Sequence, residues 1–138
     1  MPSDAIALIA VVILAFPMAA FFLSSPSFLL VGLEVPEITQ LLRGMIRGYF
    51  FAMGVVGPVA AIMLLVSGRP LFAVGAIVVV AFALAVRRWL LQRMDTALQA
   101  RDAGVAGAVR RLRVVHLQSM LINLAQLAVV VAAIPRIV

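Results

Sequence analysis

The stretch Arg110–Val131, "RRLRVVHLQSMLINLAQLAVVV", decides the fold. Arginines lead into a run that carries no Asp, Glu, Lys or Arg from Val114 to Ile134. Its apolar residues do not alternate with polar ones, so a half-buried strand is excluded and a helix of membrane-spanning length remains. Five polar residues interrupt it: Gln118, and His116, Ser119, Asn123 and Gln126, the last four at helical steps of three, four and three. That spacing places all four on one helix face, while Gln118 points elsewhere. Lipid tails cannot solvate an amide or an imidazole, so the polar face is expected to turn toward protein or a wet cavity.

The rest of the chain has the same character. It has 138 residues, 66% hydrophobic and 12% charged, far above the roughly half apolar content of a soluble domain. In lipid the backbone must satisfy its own hydrogen bonds, which leaves helices or a closed barrel, and long unalternated apolar runs select helices. The expected fold is all-α: an integral membrane four-helix bundle in a single domain, residues 1-138. The chain has no cysteine, which removes disulfides, thiolate metal sites and thiol catalysis together.

Three more spans lie upstream. The first covers about 5-23 and stops at "SSPS", Ser24–Ser27; its start, "MPSD", lacks a basic region and reads as a retained helix rather than a cleaved leader. Gly48 to Gly68 is uncharged and gives about 31 Å of helix, close to the hydrocarbon thickness. "SGRP", Ser67–Pro70, offers a glycine helix stop and a proline helix start, so a tight hairpin leads into a third span over 71-89. Arg87, Arg88 and Trp89 anchor that span at an interface. The fourth span is 114-134.

Between the third and fourth spans, Leu90, Leu91, Met94, Ala97 and Leu98 keep helical periodicity. The third helix is therefore expected to project beyond the bilayer as a cytoplasmic extension, with Gly104 and Gly107 marking the turn back. Arg43, Arg47, Arg87, Arg88, Arg93, Arg101, Arg110, Arg111 and Arg113 flank the first and third connections, against Arg69 and Arg136 opposite. This asymmetry predicts a multi-pass protein with both termini outside the cytoplasm. Arg87, Arg88, Arg110, Arg111 and Arg113 are also expected to meet lipid headgroups, at about 1 kcal/mol per basic residue near an anionic surface. Nucleic-acid binding would need a soluble basic domain, and the sequence has none.

The polar face admits two readings. In one, His116, Ser119, Asn123 and Gln126 hydrogen-bond between helices; in the other they line a ligand site. His116 with Met120, one turn on, is the weak metal candidate, for haem iron or copper(I), with further ligands needed from Met45, Met53, Met63 or a second subunit. The sequence itself supplies no complete cofactor set. No intramembrane carboxylate accompanies His116, and Ser119 has no acid to orient a base, so no catalytic constellation is present. Glu34 and Glu37 are expected to start the second helix and to pair with Arg43 and Arg47 rather than hold a metal. Gly44, Gly48 and Ala52 form a small-residue ladder that lets another helix approach closely, from this chain or from a second copy, and Pro58 beside Gly57 implies a bend.

"LRVVHLQSMLINLAQL" resembles the last-helix signature of the four-helix membrane family typified by transmembrane protein 205, a bacterial domain of unknown function. The matching positions are His116, Ser119 and Asn123. A looser similarity covers "GYFFAMGVVGPVAAIML", where Tyr49 and Phe50 supply the aromatic pair that the family places at the entry to the second helix. The first helix departs from the pattern in having no histidine. The resemblance implies four helices and a membrane location, and no chemistry; the bacterial inner (plasma) membrane is the location expected. Taken together, the expectation is a non-catalytic accessory, assembly or scaffold subunit of an inner-membrane complex, with membrane lipids and a membrane-protein partner or a second copy as neighbours. The alternative is a small-molecule, haem or metal-binding membrane protein or transport component using the polar face.

Overall fold

The computed structural model describes residues 2–30 and 32–137, which form four long helices and one short one. Helix α1 (Ser3–Ser24) ends where the serine-proline break begins, and a single turn, α2 (Ser27–Leu30), follows. Helix α3 (Pro36–Val66) and helix α4 (Pro70–Asp102) are joined by a tight turn, and α5 (Ala108–Ile137) completes the chain. The turn chemistry is that expected from the sequence. Gly68, Gly104 and Gly107 adopt φ of 77°, 74° and 80°, a region open to glycine at no steric cost, and Pro36 and Pro70 open their helices.

Helices α1, α3, α4 and α5 run up and down around a square. Packing joins α1 to α3, α3 to α4, α4 to α5, and α5 back to α1, so α3 and α5 face each other across the diagonal. All four are long and apolar enough to cross a membrane. The chain is thus an all-α bundle of the multi-pass membrane type. Its surface supports this: Phe16, Phe51, Val55, Ile62, Leu71 and Phe82 all point outward, a contiguous apolar exterior suited to lipid rather than water.

Three helices exceed the bilayer. At 31, 33 and 30 residues, α3, α4 and α5 are about 46, 50 and 45 Å long against a hydrocarbon core of about 30 Å. The start of α3, the end of α4 and the start of α5 lie at the same end, so the extension is made by α3 and α5 as well as by α4. The second helix begins at Pro36, beside the acidic residues expected to start it and well ahead of the uncharged run. Arg43 and Asp95 can therefore meet on the projecting parts, with Nε and Nη2 of Arg43 donating to the two carboxylate oxygens at 2.9 and 3.2 Å. The expected pairing of Arg43 with Glu34 or Glu37 is replaced by this one; Glu37 sits in the first turn of α3 and Glu34 precedes it. A second tie comes from Arg101, whose Nη1 donates to the Leu33 carbonyl at 3.1 Å and to Thr39 Oγ1 at 2.6 Å. At the opposite end Arg69 pairs with Asp4.

Candidate functional site

The polar face of α5 turns inward. His116, Ser119, Asn123 and Gln126 are all buried, at 0, 4, 1 and 7% exposure, whereas Leu117, Leu121 and Leu124 on the opposite face are exposed. The interior so formed is an apolar bundle with a narrow polar seam along its axis.

His116 lies against the end of α1. Its Nε2 is 2.9 Å from the Ser25 carbonyl oxygen, and since a carbonyl only accepts, this nitrogen carries the proton. The same carbonyl also accepts from the Phe28 backbone N–H at 3.1 Å, so the turn after α1 and the imidazole share its two lone pairs. Phe28 of α2 packs its ring edgewise on the imidazole, 5.8 Å between centroids. The other ring nitrogen, Nδ1, is buried without a partner among the described residues. Ser119 bonds locally, its hydroxyl donating to the His116 carbonyl at 2.6 Å.

Farther along the seam, Gln126 ties three helices together. The Tyr49 hydroxyl of α3 donates to Gln126 Oε1 at 3.0 Å, and Gln126 Nε2 donates to the Val79 carbonyl of α4 at 3.5 Å. Tyr49 is held in turn by Phe21 of α1, with ring centroids 4.8 Å apart, and by Phe50 at 5.2 Å. Asn123, one helical turn before Gln126, is the exception: neither its amide nitrogen nor its amide oxygen has a partner among the described residues.

Other sequence-derived candidates are dispersed. Met120 is half-buried beside the seam and Met53 is fully buried in the core of α3, while Met45 and Met63 are only partly buried. No group of three or more His, Asp or Glu side chains that would hold a metal ion occurs among the described residues. Gly44 and Gly48 are exposed, and a Cβ on either would meet nothing within 4 Å, so no helix of this chain uses that ladder. The close approach is at Gly57, where a Cβ would collide with the Val80 side chain of α4. Instead, Gly48, Tyr49 and Ala52 border an open groove of about 460 Å³ between α1 and α3, with Phe16, Pro17 and Ser24 on its other wall.

The arginines expected at headgroups lie at the projecting end of the molecule. Arg88, Arg110, Arg111 and Arg113 are exposed and Arg87 is half-buried. Arg101, by contrast, is turned inward onto Leu33 and Thr39. The sequence pattern alone misses Tyr49 as a hydrogen-bond donor, the Ser25 carbonyl and Asp95. Only Tyr49 carried a signal, as the single tyrosine of the chain at the start of an apolar run. Compared with protein-family models, with curated proteins and with solved structures, the chain finds no match.

Proposed function

We propose that this protein is a non-catalytic accessory, assembly or scaffold subunit of a bacterial inner-membrane complex. The observation that carries the reading is the division of labour between its faces. The polar groups of α5 turn into its own bundle, while the small-residue face of α3 stays uncovered on the lipid side. In lipid, helices associate by close packing and hydrogen bonding rather than by hydrophobicity. A groove bordered by Gly48 and Ala52 is therefore suited to a helix from a partner protein or a second copy. The similarity of the last helix to the family typified by transmembrane protein 205 belongs to the same proposal, as does an orientation with both termini outside the cytoplasm.

The test is recovery of a stoichiometric complex from mild detergent, with Gly48→Leu as the probe. Nothing lies near the Gly48 Cβ position, so the variant folds, but it fills the groove. The expected result is a complex for the parent and its loss in the variant. A solitary monomer in several mild detergents rejects the reading.

A second reading rests on the unpartnered His116 Nδ1 and Asn123 amide. Buried polar atoms of this kind are costly unless satisfied, and a bound small molecule, haem or copper ion taken up at the seam would supply partners. It predicts a chromophore or metal in the purified protein that disappears in His116→Ala. Colourless, metal-free protein from cells supplied with both haem and copper rejects it.

A further inference from the structure

The arginines at the projecting end are not an evenly spread collar. A cleft of about 580 Å³ opens between the projecting part of α4 and the first turns of α5, lined by Trp89, Gln92, Arg93 and Thr96 on one side and by Arg110 and Arg111 on the other. Three cations thus surround one cavity. From this we infer that the cleft is a binding site for the phosphate of an anionic phospholipid headgroup.

Charge is the first argument. Every acid at this end is engaged elsewhere or distant in the fold: Asp95 pairs with Arg43 and Asp102 with Arg101. Glu34 and Glu37 belong to the start of α3, the helix diagonal to α5. Arg93 is fixed by neutral groups, its Nη1 donating to Gln118 Oε1 at 2.8 Å and its guanidinium lying over the Trp89 ring, 4.9 Å from the centroid. Arg110 and Arg111 make no ion pair among the described residues. Three guanidinium groups around one space repel one another until an anion enters, and the planar fork of arginine matches phosphate oxygens two at a time.

Position is the second argument, and it favours a lipid over free phosphate. The lower wall of the cleft is Val114 and Val115, the first residues of the uncharged span of α5. Trp89, an aromatic residue of the kind enriched at membrane interfaces, sets the level of the headgroups. Below it the exposed faces of both helices are apolar, with Phe82 on α4 and Leu117 and Leu121 on α5. A molecule with its phosphate among the arginines therefore has its acyl chains directed along a surface that accepts them. The cleft also offers Gln92 and Thr96 as neutral hydrogen-bonding groups for a polar headgroup substituent.

The single tryptophan of the chain lies in the cleft and reports on it directly. The full-length protein in mixed micelles is titrated with phosphatidylglycerol, phosphatidylcholine or inorganic phosphate while Trp89 fluorescence is followed. The inference requires a saturable change with phosphatidylglycerol, little with phosphatidylcholine, and inorganic phosphate at least about tenfold weaker than the lipid. Arg110→Gln with Arg111→Gln is expected to weaken the response to phosphatidylglycerol about tenfold or more, as the loss of two charge-assisted contacts implies. Arg47→Gln with Arg136→Gln removes the same charge from exposed positions outside both the cleft lining and the headgroup set, and is expected to leave the affinity within about threefold of the parent. All four side chains are exposed, and unchanged helical circular dichroism verifies folding. Equal weakening by both pairs, or inorganic phosphate as effective as the lipid, overturns the inference, as does a response that does not saturate.

Discussion

At the scale of single residues, Asn123 and Gln126 are one helical turn apart on the same buried face and have opposite energetics. Gln126 has partners on two other helices, so its amide is hydrogen-bonded as it leaves the lipid environment. Asn123 has none among the described residues, and an unsatisfied buried polar group costs about 1–3 kcal/mol. Replacement by leucine, similar in volume and without polar atoms, should therefore act in opposite directions at the two sites. Asn123→Leu is expected to raise stability by about 1 kcal/mol, because it removes two orphaned atoms. Gln126→Leu is expected to lower it by about 1 kcal/mol, since it strands the Tyr49 hydroxyl and loses an interhelical bond of typical membrane strength. Thermal or denaturant unfolding in one detergent compares them. A lower stability for Asn123→Leu means that the amide has a partner, a water or a ligand, and would move the balance toward the second functional reading.

At the scale of helices, the small residues show what a sequence can and cannot disclose. The steps from His116 to Gln126 were enough to aim that face inward, because lipid admits no other direction for a row of amides. The partners were not legible. The Ser25 carbonyl, in the turn after α1, accepts from His116 as well as from the Phe28 N–H, and Tyr49 reaches Gln126 across a diagonal of the bundle. Gly44, Gly48 and Ala52 had the spacing of a packing ladder, yet spacing does not say whether the neighbour belongs to the same chain. Gly57, four residues before Ala61, is instead the glycine that α4 packs against, with Val80 where a Cβ would stand. Gly57→Ala is expected to destabilise the bundle by about 1–3 kcal/mol, the range for overpacking a close contact. Val80 supplies the atoms that the new methyl would meet, so Val80→Ala in the same chain should restore much of the loss. Unfolding of the two single variants and the double variant forms a complete cycle. Additive losses would place the strain outside this contact, for example at Pro58, whose missing N–H already leaves a turn of α3 without a donor.

At the scale of the whole molecule, the two ends differ in charge by more than the arginine count conveys. The projecting end holds nine arginines with Glu34, Glu37, Asp95 and Asp102, a balance of +5; the other end holds Arg69 and Arg136 with Asp4, a balance of +1, and together they give the +6 of the chain. This asymmetry was legible, since apolar spans and charged connections are separated cleanly along the sequence. The projecting start of α3 was legible too, since Glu34 and Glu37 mark it, but the ties that secure it were not. They join Arg43 and Thr39 of α3 to Asp95 and Arg101 of α4. In the proposed orientation, the projecting end and its arginines lie on the cytoplasmic side, as the positive-inside rule predicts. The absence of native cysteine makes the prediction direct to test. Ser3→Cys and Ala103→Cys place single thiols on exposed positions at opposite ends. A membrane-impermeant maleimide is expected to label Ser3→Cys in intact bacterial spheroplasts and Ala103→Cys only after permeabilisation. The reverse pattern would put three clustered cations, Arg93, Arg110 and Arg111, on the outer face and assign the phospholipid cleft to the other leaflet. Labelling of both thiols in intact spheroplasts would mean a mixed orientation, in which the charge difference between the ends is too small to commit the bundle to one direction.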